Sequence, residues 1–239
     1  MADKSGDGTA QRSPMNVLVV AAHPDDEVLG CGATIARLSQ QGDAVVVVIL
    51  GEGVTSRYDD RGDADPMSLS RLHEQVHAVG AILGVQDVRI FDFPDNRFDT
   101  VPLLDIIKLI ERLIGETKPE VIYTHHGGDL NIDHVILNRA VLTASRPMSG
   151  NSIRDVYAFE VPSSTEWAFQ SFAAFSPNVF VDVNETIELK IRAMEVYDSE
   201  ARRFPHPRSA EALRAISRRW GSVAGLGSAE AFQMIRSVR

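Results

Sequence analysis

The sequence has almost no cysteine, which limits the metal sites and covalent cross-links that it can form. Cys31 is the only cysteine among 239 residues. A single cysteine cannot make an intrachain disulfide, and it excludes the cysteine-rich structural zinc sites. Any zinc in this protein must therefore be held by histidine and carboxylate side chains, as in catalytic sites that keep one position open.

Long apolar runs and an excess of basic charge are also missing. No apolar stretch approaches the roughly 18 residues that a transmembrane helix needs, so we expect no membrane span. Residues 1–14 have no apolar centre of the kind found in signal peptides. The formal net charge of −9 argues against a nucleic-acid partner, because such proteins present a basic face to phosphates. We therefore expect a soluble, cytoplasmic protein.

The sequence does contain a regular alternation of apolar runs and amphipathic segments. Four times, a short apolar run precedes a segment with helical periodicity. This alternation predicts an α/β fold, in which right-handed crossovers build a Rossmann-like three-layer sandwich around a mostly parallel sheet. The predicted strands are 15–22, 44–50, 88–91 and 121–124, and the predicted helices are 26–41, 66–83, 101–116 and 135–144.

The pattern is less regular beyond residue 150. We expect residues 1–14 to form a flexible tail and residues 15–239 to form one domain. Within that domain, 15–150 is the predicted Rossmann-like core, and 151–239 is the predicted substrate-pocket and C-terminal helical part. The elements predicted there are strands 156–161 and 179–183 and helices 184–199, 209–220 and 228–237.

Several local signals refine these helices. Asp65 followed by Pro66 is typical of an N-cap with proline at the first helical position, and Gly84 is placed to end the same helix. Gly30 and Gly32 lie early in the first helix, where we expect them to permit close packing on the sheet rather than to bind phosphate.

A cluster of polar residues follows the first predicted strand. Residues 22–27 have the sequence Ala-His-Pro-Asp-Asp-Glu. In open α/β sheets, ligands bind at the carboxyl ends of the strands. Buried carboxylates crowded into one turn are costly unless a cation neutralises them. The motif therefore predicts a zinc ion held by His23 and Asp26, with Asp25 acting chemically beside it.

A second polar segment, 125–134, follows the fourth predicted strand and should lie at the same edge as His23. Its sequence, His-His-Gly-Gly-Asp-Leu-Asn-Ile-Asp-His, supplies a further histidine. Two histidines and one carboxylate with a water molecule form a known catalytic zinc arrangement. Asp133 is adjacent to His134 and is a candidate acceptor for orienting that histidine ring.

With these motifs, the sequence resembles the PIG-L/LmbE family of zinc-dependent N-deacetylases, which act on N-acetylglucosaminyl substrates. Two motifs, at 22–27 and 129–134, carry the resemblance together, and it extends over residues 15–239. Weaker similarities are Arg71 and Glu74, Phe93-Pro94-Asp95-Asn96, His206-Pro207-Arg208-Ser209 and Ala229-Glu230-Ala231-Phe232.

The resemblance implies a role for particular residues. One zinc ion per chain would be held by His23, Asp26 and His134, and Asp25 would be the general base. Arg71 and Asp95 would bind sugar hydroxyls or a phosphate. The implied partner is a small N-acetylated sugar or glycoconjugate, and the implied assembly is a homo-oligomer, a trimer or hexamer.

The sequence departs from the family pattern at one position. Many members have a histidine three residues before the ligand histidine, where it stabilises the oxyanion and protonates the leaving amine. Asn131 stands there. An amide can donate a hydrogen bond but cannot deliver a proton at neutral pH. Either Asp25 does both jobs or another acid protonates the amine; among His206, His125 and His126, we favour His206.

A different zinc motif competes with this interpretation. Residues 73–77, His-Glu-Gln-Val-His, match the zincin protease signature. The longer metzincin pattern requires a histidine where Leu83 stands. The same segment carries the apolar stripe of a crossover helix, which places both histidines on its flank. The expected stripe is Leu69, Leu72, Val76, Val79 and Leu83.

Two other function classes remain open. The chain could hydrolyse another N-acyl amide, such as a thiol conjugate or an antibiotic intermediate. It could also be a non-catalytic sugar- or nucleotide-binding protein on the same fold. The presence of Asp25 and of every implied ligand favours the enzyme.

Overall fold

The structure is a computed structural model that describes residues 12–53, 65–169 and 171–239. The described residues form seven β-strands, six α-helices and two short 3₁₀ helices. The strands are β1 (Asn16–Ala21), β2 (Ala44–Gly51), β3 (Asp87–Phe93), β4 (Val121–His125), β5 (Asp155–Phe159), β6 (Val179–Asp182) and β7 (Ala229–Ser237). The α-helices are α1 (Asp26–Gln40), α2 (Pro66–Leu83), α3 (Leu103–Thr117), α4 (Ile132–Ala144), α5 (Ile187–Val196) and α6 (Ala210–Ala224), and the 3₁₀ helices are Phe98–Thr100 and Glu166–Ala168.

The strands form one mixed sheet in the order β3-β2-β1-β4-β5-β7-β6. Strands β1 to β5 are parallel to one another, and β7 is antiparallel to both β5 and β6. Helices α1, α2, α5 and α6 pack on one face, and α3 and α4 pack on the other. The predicted three-layer α/β class with a mostly parallel sheet is confirmed.

The strand order changes direction between β1 and β4, because β2 and β3 lie on one side of β1 and β5 lies beyond β4. The carboxyl ends of the two central strands therefore meet at a topological switch point, where α/β sheets bind ligands. Residues 22–27 span the turn after β1 and the start of α1, and residues 126–134 span the loop after β4 and the start of α4. The fold thus brings the two polar motifs to one place.

The prediction of a helix over 228–237 is wrong, since this segment is strand β7. Ala, Glu, Gln, Met and Arg residues give it a helical composition. In the fold it lies between β5 and β6, and both neighbours hydrogen-bond to its backbone. Pairing on two sides outweighs local propensity, which is a weak determinant when tertiary contacts oppose it.

The local helix signals are confirmed. The Asp65 carboxylate accepts hydrogen bonds from the backbone N–H groups of Met67 and Ser68, and Gly84 ends α2 with φ of 73°. Gly30 lies so close to the sheet that a Cβ atom there would be 2.2 Å from the Phe159 ring. This contact sets α1 directly against the strands.

Segment 151–239 contributes three strands to the same sheet as the first half of the chain. The domain boundaries at residues 14 and 150 remain predictions, and the predicted tail, apart from residues 12–14, lies outside the described residues. Most of residues 51–65, between the predicted strand 44–50 and the predicted helix 66–83, also lie outside them. Within the described ranges, no helix is both long and apolar enough to cross a bilayer.

Candidate metal centre and active site

The turn after β1 is tightly folded around its own side chains. The Asp26 carboxylate accepts the backbone N–H of His23 at 2.8 Å, and the N–H of Asp26 donates to the His23 carbonyl at 3.2 Å. Asp25, between them, has a left-handed backbone with φ of 102°. This geometry turns the side chains of His23, Asp25 and Asp26 towards the switch point between β1 and β4.

The three implied ligands, His23, Asp26 and His134, meet at the switch point. Asp26 Oδ2 lies 3.3 Å from His23 Nδ1 and 3.2 Å from His134 Nε2. One ligand atom from each of these residues falls within 4.8 Å of the others, and all three residues are buried. His134 is in the first turn of α4, so its ring reaches the cluster from the segment after β4.

A second set of carboxylates faces the far sides of the two histidine rings. Asp133 Oδ2 is 2.9 Å from His23 Nε2, and Asp129 Oδ1 is 3.1 Å from His134 Nδ1. The expected orientation of His134 by Asp133 is therefore corrected: Asp133 faces His23. Adjacent residues on a helix point in different directions, so Asp133 cannot face the ring of the residue that follows it.

These outer carboxylates are firmly held. The Asp133 oxygens accept backbone N–H groups of Asn96 at 2.6 Å and Phe98 at 2.9 Å. Asp129 accepts the hydroxyl protons of Ser164 and Thr165. Such acceptors fix the orientation of ligating histidines in metal sites.

A second group of potential ligands shares His23. It consists of His23, Asp95 and Asp133. Because backbone donors already occupy both Asp133 oxygens, this group fits the support of His23 better than a separate ion.

The charge balance of the cluster calls for a cation. Burial alone would lower the pKa of His134, but Asp26 and Asp129 outweigh it and raise the pKa to about 9. Burial alone would likewise raise the pKa of Asp26, yet His134 and His125 hold it well below its usual value. Neither ring nitrogen of the buried His134 has a hydrogen bond of good geometry. A metal ion on the three ligands would bind Nε2 of His134, whereas Nδ1 faces Asp129 at 3.1 Å, so the residues present fit zinc.

Asp25 is buried beside the cluster but does not belong to either group of potential ligands. Its Oδ2 accepts a hydrogen bond from Arg208 Nη1 at 2.7 Å. Burial raises the pKa of Asp25 well above its ordinary value, whereas Arg208 acts to lower it. The Arg208 guanidinium also donates to Glu200 at 2.9 Å and to Ser163 at 2.7 Å, which fixes its direction.

Arg208 is the functional residue that sequence reasoning missed. It belongs to the His206-Pro207-Arg208-Ser209 segment, in which residue type favours His206 because histidine ordinarily titrates near neutrality. Residue type alone does not show which side chain of this segment contacts Asp25.

A cavity of about 570 Å³ opens beside these groups. Its volume lies in the range of small-molecule sites. The walls include the cluster residues, Asp25 and Arg208, together with Asp95 and Asn131. Asp95 Oδ1 is 3.1 Å from His23 Nε2. Asn131 caps α4 by accepting the N–H of Asp133 at 2.8 Å, and its Nδ2 donates to Asn96 at 3.0 Å.

Other candidates lie outside this cavity. The exposed Arg71 guanidinium pairs with Asp198, so the predicted contact of Arg71 with substrate is not supported. His206 is not among the lining residues, and its ring meets Trp167 edge-on with centroids 5.7 Å apart. The structure therefore does not bring the favoured acid, His206, to the site.

The two remaining histidine candidates are engaged elsewhere. His125 Nε2 accepts the backbone N–H of Ala22 at 2.9 Å, and burial together with nearby His134 lowers the pKa of His125 to about 3. A histidine with so low a pKa is neutral and cannot serve as an acid. His126 Nε2 faces the Ala173 carbonyl at 2.7 Å.

The zincin-like segment lies on α2, as the apolar stripe predicted. Four of the five stripe residues are buried, with Leu69 partly so. The half-exposed His73 ring lies 3.4 Å from Glu52, and among the described residues neither His73 nor His77 belongs to a group that could hold a metal. The described part of the chain thus offers no protease-type zinc site on α2.

Comparison with known proteins agrees with this geometry. The PIG-L family, described as GlcNAc-PI de-N-acetylase, matches residues 18–145. The uncharacterized deacetylase YaiS of Escherichia coli K12 is 31% identical over 191 residues, with 77% of this chain and 90% of that protein covered. The diacetylchitobiose deacetylase of Thermococcus kodakarensis is 27% identical over 235 residues, with 93% and 84% covered.

A solved structure with the same fold has a different activity. The 4-carboxy-2-hydroxymuconate hydratase GalB of Pseudomonas putida KT2440 superposes with a TM-score of 0.73 at 22% identity, and the match covers 94% of this chain and 98% of that one. At this identity, the likeness establishes the fold alone. The family match covers more than half of the chain and includes both polar motifs, so the chain belongs to the PIG-L family of GlcNAc-PI de-N-acetylases.

Proposed function

We propose that this protein is a zinc-dependent hydrolase that removes the N-acetyl group from an N-acetylglucosaminyl-type substrate and releases acetate and a free amine. One observation carries the proposal. The buried cluster of His23, Asp26 and His134 lies beside a fourth buried residue, Asp25, whose carboxylate is outside the cluster and borders the same cavity. Deacetylase names among the relatives support the reaction class.

The three cluster residues would hold the zinc ion. Zinc with two histidines and one carboxylate keeps a position open, lowers the pKa of water and polarises a carbonyl. Asp133 and Asp129 would fix the two ligand rings from behind, because each lies within 3.1 Å of the outer ring nitrogen that it faces.

Asp25 would accept the proton of the attacking water. Arg208 holds Oδ2 of Asp25, and we assign the proton to Oδ1. The guanidinium opposes the rise in pKa that burial causes, so it favours the charged, proton-accepting form of the carboxylate.

The same carboxyl group would return the proton to the leaving amine. Among the described residues, His206, His125 and His126 do not line the cavity, whereas Asp25 lines it beside the cluster, which favours Asp25 for this proton transfer. Asn131 lines the cavity and would donate an N–H of Nδ2 towards the developing oxyanion; donors of this kind contribute about 3–4 kcal/mol elsewhere. Its other amide proton is engaged by Asn96.

The cavity volume suits a monosaccharide ring with its acetamide group, and Asp95 on the wall is placed to accept a sugar hydroxyl. A homo-oligomeric assembly and a cytoplasmic location remain predictions from the sequence.

The experiment combines metal analysis with an acetate-release assay on purified protein. Substrates are free, phosphorylated, lipid-linked and oligomeric N-acetylglucosamine derivatives, with other N-acyl groups as comparison. We expect about one zinc per chain, loss of zinc and activity in His134→Ala, and retained zinc with little turnover in Asp25→Asn. Asp105→Asn, at an exposed acid on α3, is the control and should resemble the wild type.

Each alternative has a distinct outcome. An unchanged zinc content in His134→Ala would refute the ligand assignment. Wild-type activity in Asp25→Asn would show that Asp25 is not the general base. Binding of sugars without acetate release would favour the non-catalytic class. Faster release of a different acid would favour another N-acyl substrate.

A further inference from the structure

The backbone of Asp25 adopts a conformation that its side chain disfavours. With φ of 102° and ψ of −29°, it lies at positive φ, where residues other than glycine are strained. Asp25 precedes the first residue of α1, but its side chain does not cap that helix. Surrounding contacts must therefore hold this conformation.

Glu27 supplies one such contact. Its Oε2 accepts the backbone N–H of Asp25 at 3.1 Å, and its Oε1 accepts the hydroxyl proton of Tyr197 at 2.7 Å. Asp25, Glu27 and Tyr197 are 3%, 2% and 0% exposed, so little water competes for the two hydrogen bonds. The chain of contacts runs from a core tyrosine to the peptide group of the proposed base.

Tyr197 is fixed independently of the active site. It directly follows the last turn of α5 and its ring belongs to the main hydrophobic cluster on one face of the sheet. Helix α5 packs against α1, the helix that Asp25 precedes. The hydroxyl is therefore at a position set by core packing, and Tyr197 is not among the residues that line the cavity.

We infer that Tyr197 is a positioning residue for the reaction: through Glu27, it holds Asp25 in the left-handed conformation that directs the carboxylate to Arg208 and the cavity. The inference rests on the proposed role of Asp25 as the base. An acid in the first turn of a helix often serves only to interact with the helix dipole. The two oxygens of Glu27 instead face Asp25 and Tyr197 rather than solvent.

The test compares Tyr197→Phe with Tyr123→Phe. The first change preserves the ring and removes the hydroxyl that faces Glu27. The control removes a hydroxyl from another buried tyrosine, which packs between Tyr157 and Phe232 on the sheet. In Tyr197→Phe, we expect kcat to fall roughly tenfold or more with KM and zinc content unchanged, because small displacements of a catalytic group cost up to about 10²-fold. Tyr123→Phe should retain the wild-type kcat.

A double variant tests whether the effect passes through Glu27. In Glu27→Leu, which keeps a side chain of similar size, neither the Asp25 amide nor the Tyr197 hydroxyl keeps its Glu27 acceptor. Because the link from Tyr197 to Asp25 is then already broken, the double variant Glu27→Leu with Tyr197→Phe should be no slower than Glu27→Leu alone. Multiplicative losses would show that the two residues act independently and would overturn the inference.

Hydrogen exchange of the Asp25 amide provides a readout that does not depend on activity. It should accelerate in Tyr197→Phe and stay unchanged in Tyr123→Phe. Unchanged exchange, or a wild-type kcat in Tyr197→Phe, would refute the positioning role. Absence of acetate release by the wild-type protein would instead refute the proposed function, and the exchange measurement would still decide whether Tyr197 holds Asp25.

Discussion

Replacement of Arg208 with alanine removes the cation that faces the proposed base. The guanidinium is 2.7 Å from Asp25 Oδ2 and 2.9 Å from Glu200 Oε2. Its side chain is 23% exposed, so solvent screens the contact only in part. Arg208→Ala therefore leaves two neighbouring carboxylates without their shared partner and close to Asp26.

The size of the effect follows from these distances. Two unit charges 2.7 Å apart attract each other by about 6 kcal/mol at an effective dielectric constant of about 20. Because the Arg208 side chain is 23% exposed, solvent screening reduces this attraction to roughly half, about 3 kcal/mol, as the part that favours the charged form of Asp25. At about 1.4 kcal/mol per factor of ten, kcat should fall roughly 10²-fold.

The assay is steady-state acetate release with zinc content measured in parallel. Zinc content should be unchanged, since Arg208 does not belong to the metal cluster. Arg208→Lys should be intermediate, because a single ammonium group cannot reproduce the guanidinium contacts to Asp25, Glu200 and Ser163 at once. The matched control is Arg214→Ala, which removes an arginine–glutamate pair on the surface of α6.

Surface pairs contribute about 1 kcal/mol or less, so Arg214→Ala should keep wild-type kcat. Arg208→Ala should also lower the melting temperature, since an unpaired buried charge destabilises a protein by about 3–5 kcal/mol. A folded Arg208→Ala protein with wild-type kcat would refute the argument that Arg208 favours the charged form of Asp25.

Three further predictions concern other parts of the fold. The double variant His73→Ala with His77→Ala should keep zinc and activity, because neither histidine belongs to a metal group; loss of zinc would revive the protease alternative. Arg71→Ala should leave KM unchanged, since Arg71 does not line the cavity, and a large rise in KM would restore its predicted substrate contact. Gly30→Ala should lower the melting temperature by several degrees, because its Cβ would be 2.2 Å from a buried ring and overpacking costs about 1–3 kcal/mol. The control is Gly115→Ala on α3, where an added Cβ would meet no atom within 4 Å, so this change should stabilise the protein. A Gly30→Ala protein as stable as the wild type would contradict the packing argument.

Much of the architecture could be predicted because its signals are local. Alternating apolar runs and amphipathic segments identified the first four strands and helices, and Asp65 and Gly84 marked the ends of α2. The meeting of His23, Asp26 and His134 also followed from sequence, since His23 and His134 come after strands whose carboxyl ends lie at the same edge of an open parallel sheet.

The predictions failed where contacts between segments far apart in sequence determine the structure. The segment 229–237 has the composition of a helix, and only its neighbours β5 and β6 make it a strand. The predicted role of Asp133 failed because adjacency along the chain is not adjacency in space on a helix. His206 and Arg208 are two residues apart, yet only Arg208 reaches the cavity.

The sequence by itself determined the fold class and the types of residue that a metal site could use, because hydrophobic periodicity and the single cysteine act without reference to the rest of the chain. Only the tertiary structure decided what surrounds Asp25. Arg208 is 183 positions from Asp25 in sequence and Tyr197 is 170 positions from Glu27, so no local pattern links them to the first turn. Packing of α1 against the sheet and α5 brings these side chains together, and this long-range packing sets the charge and direction of the proposed base.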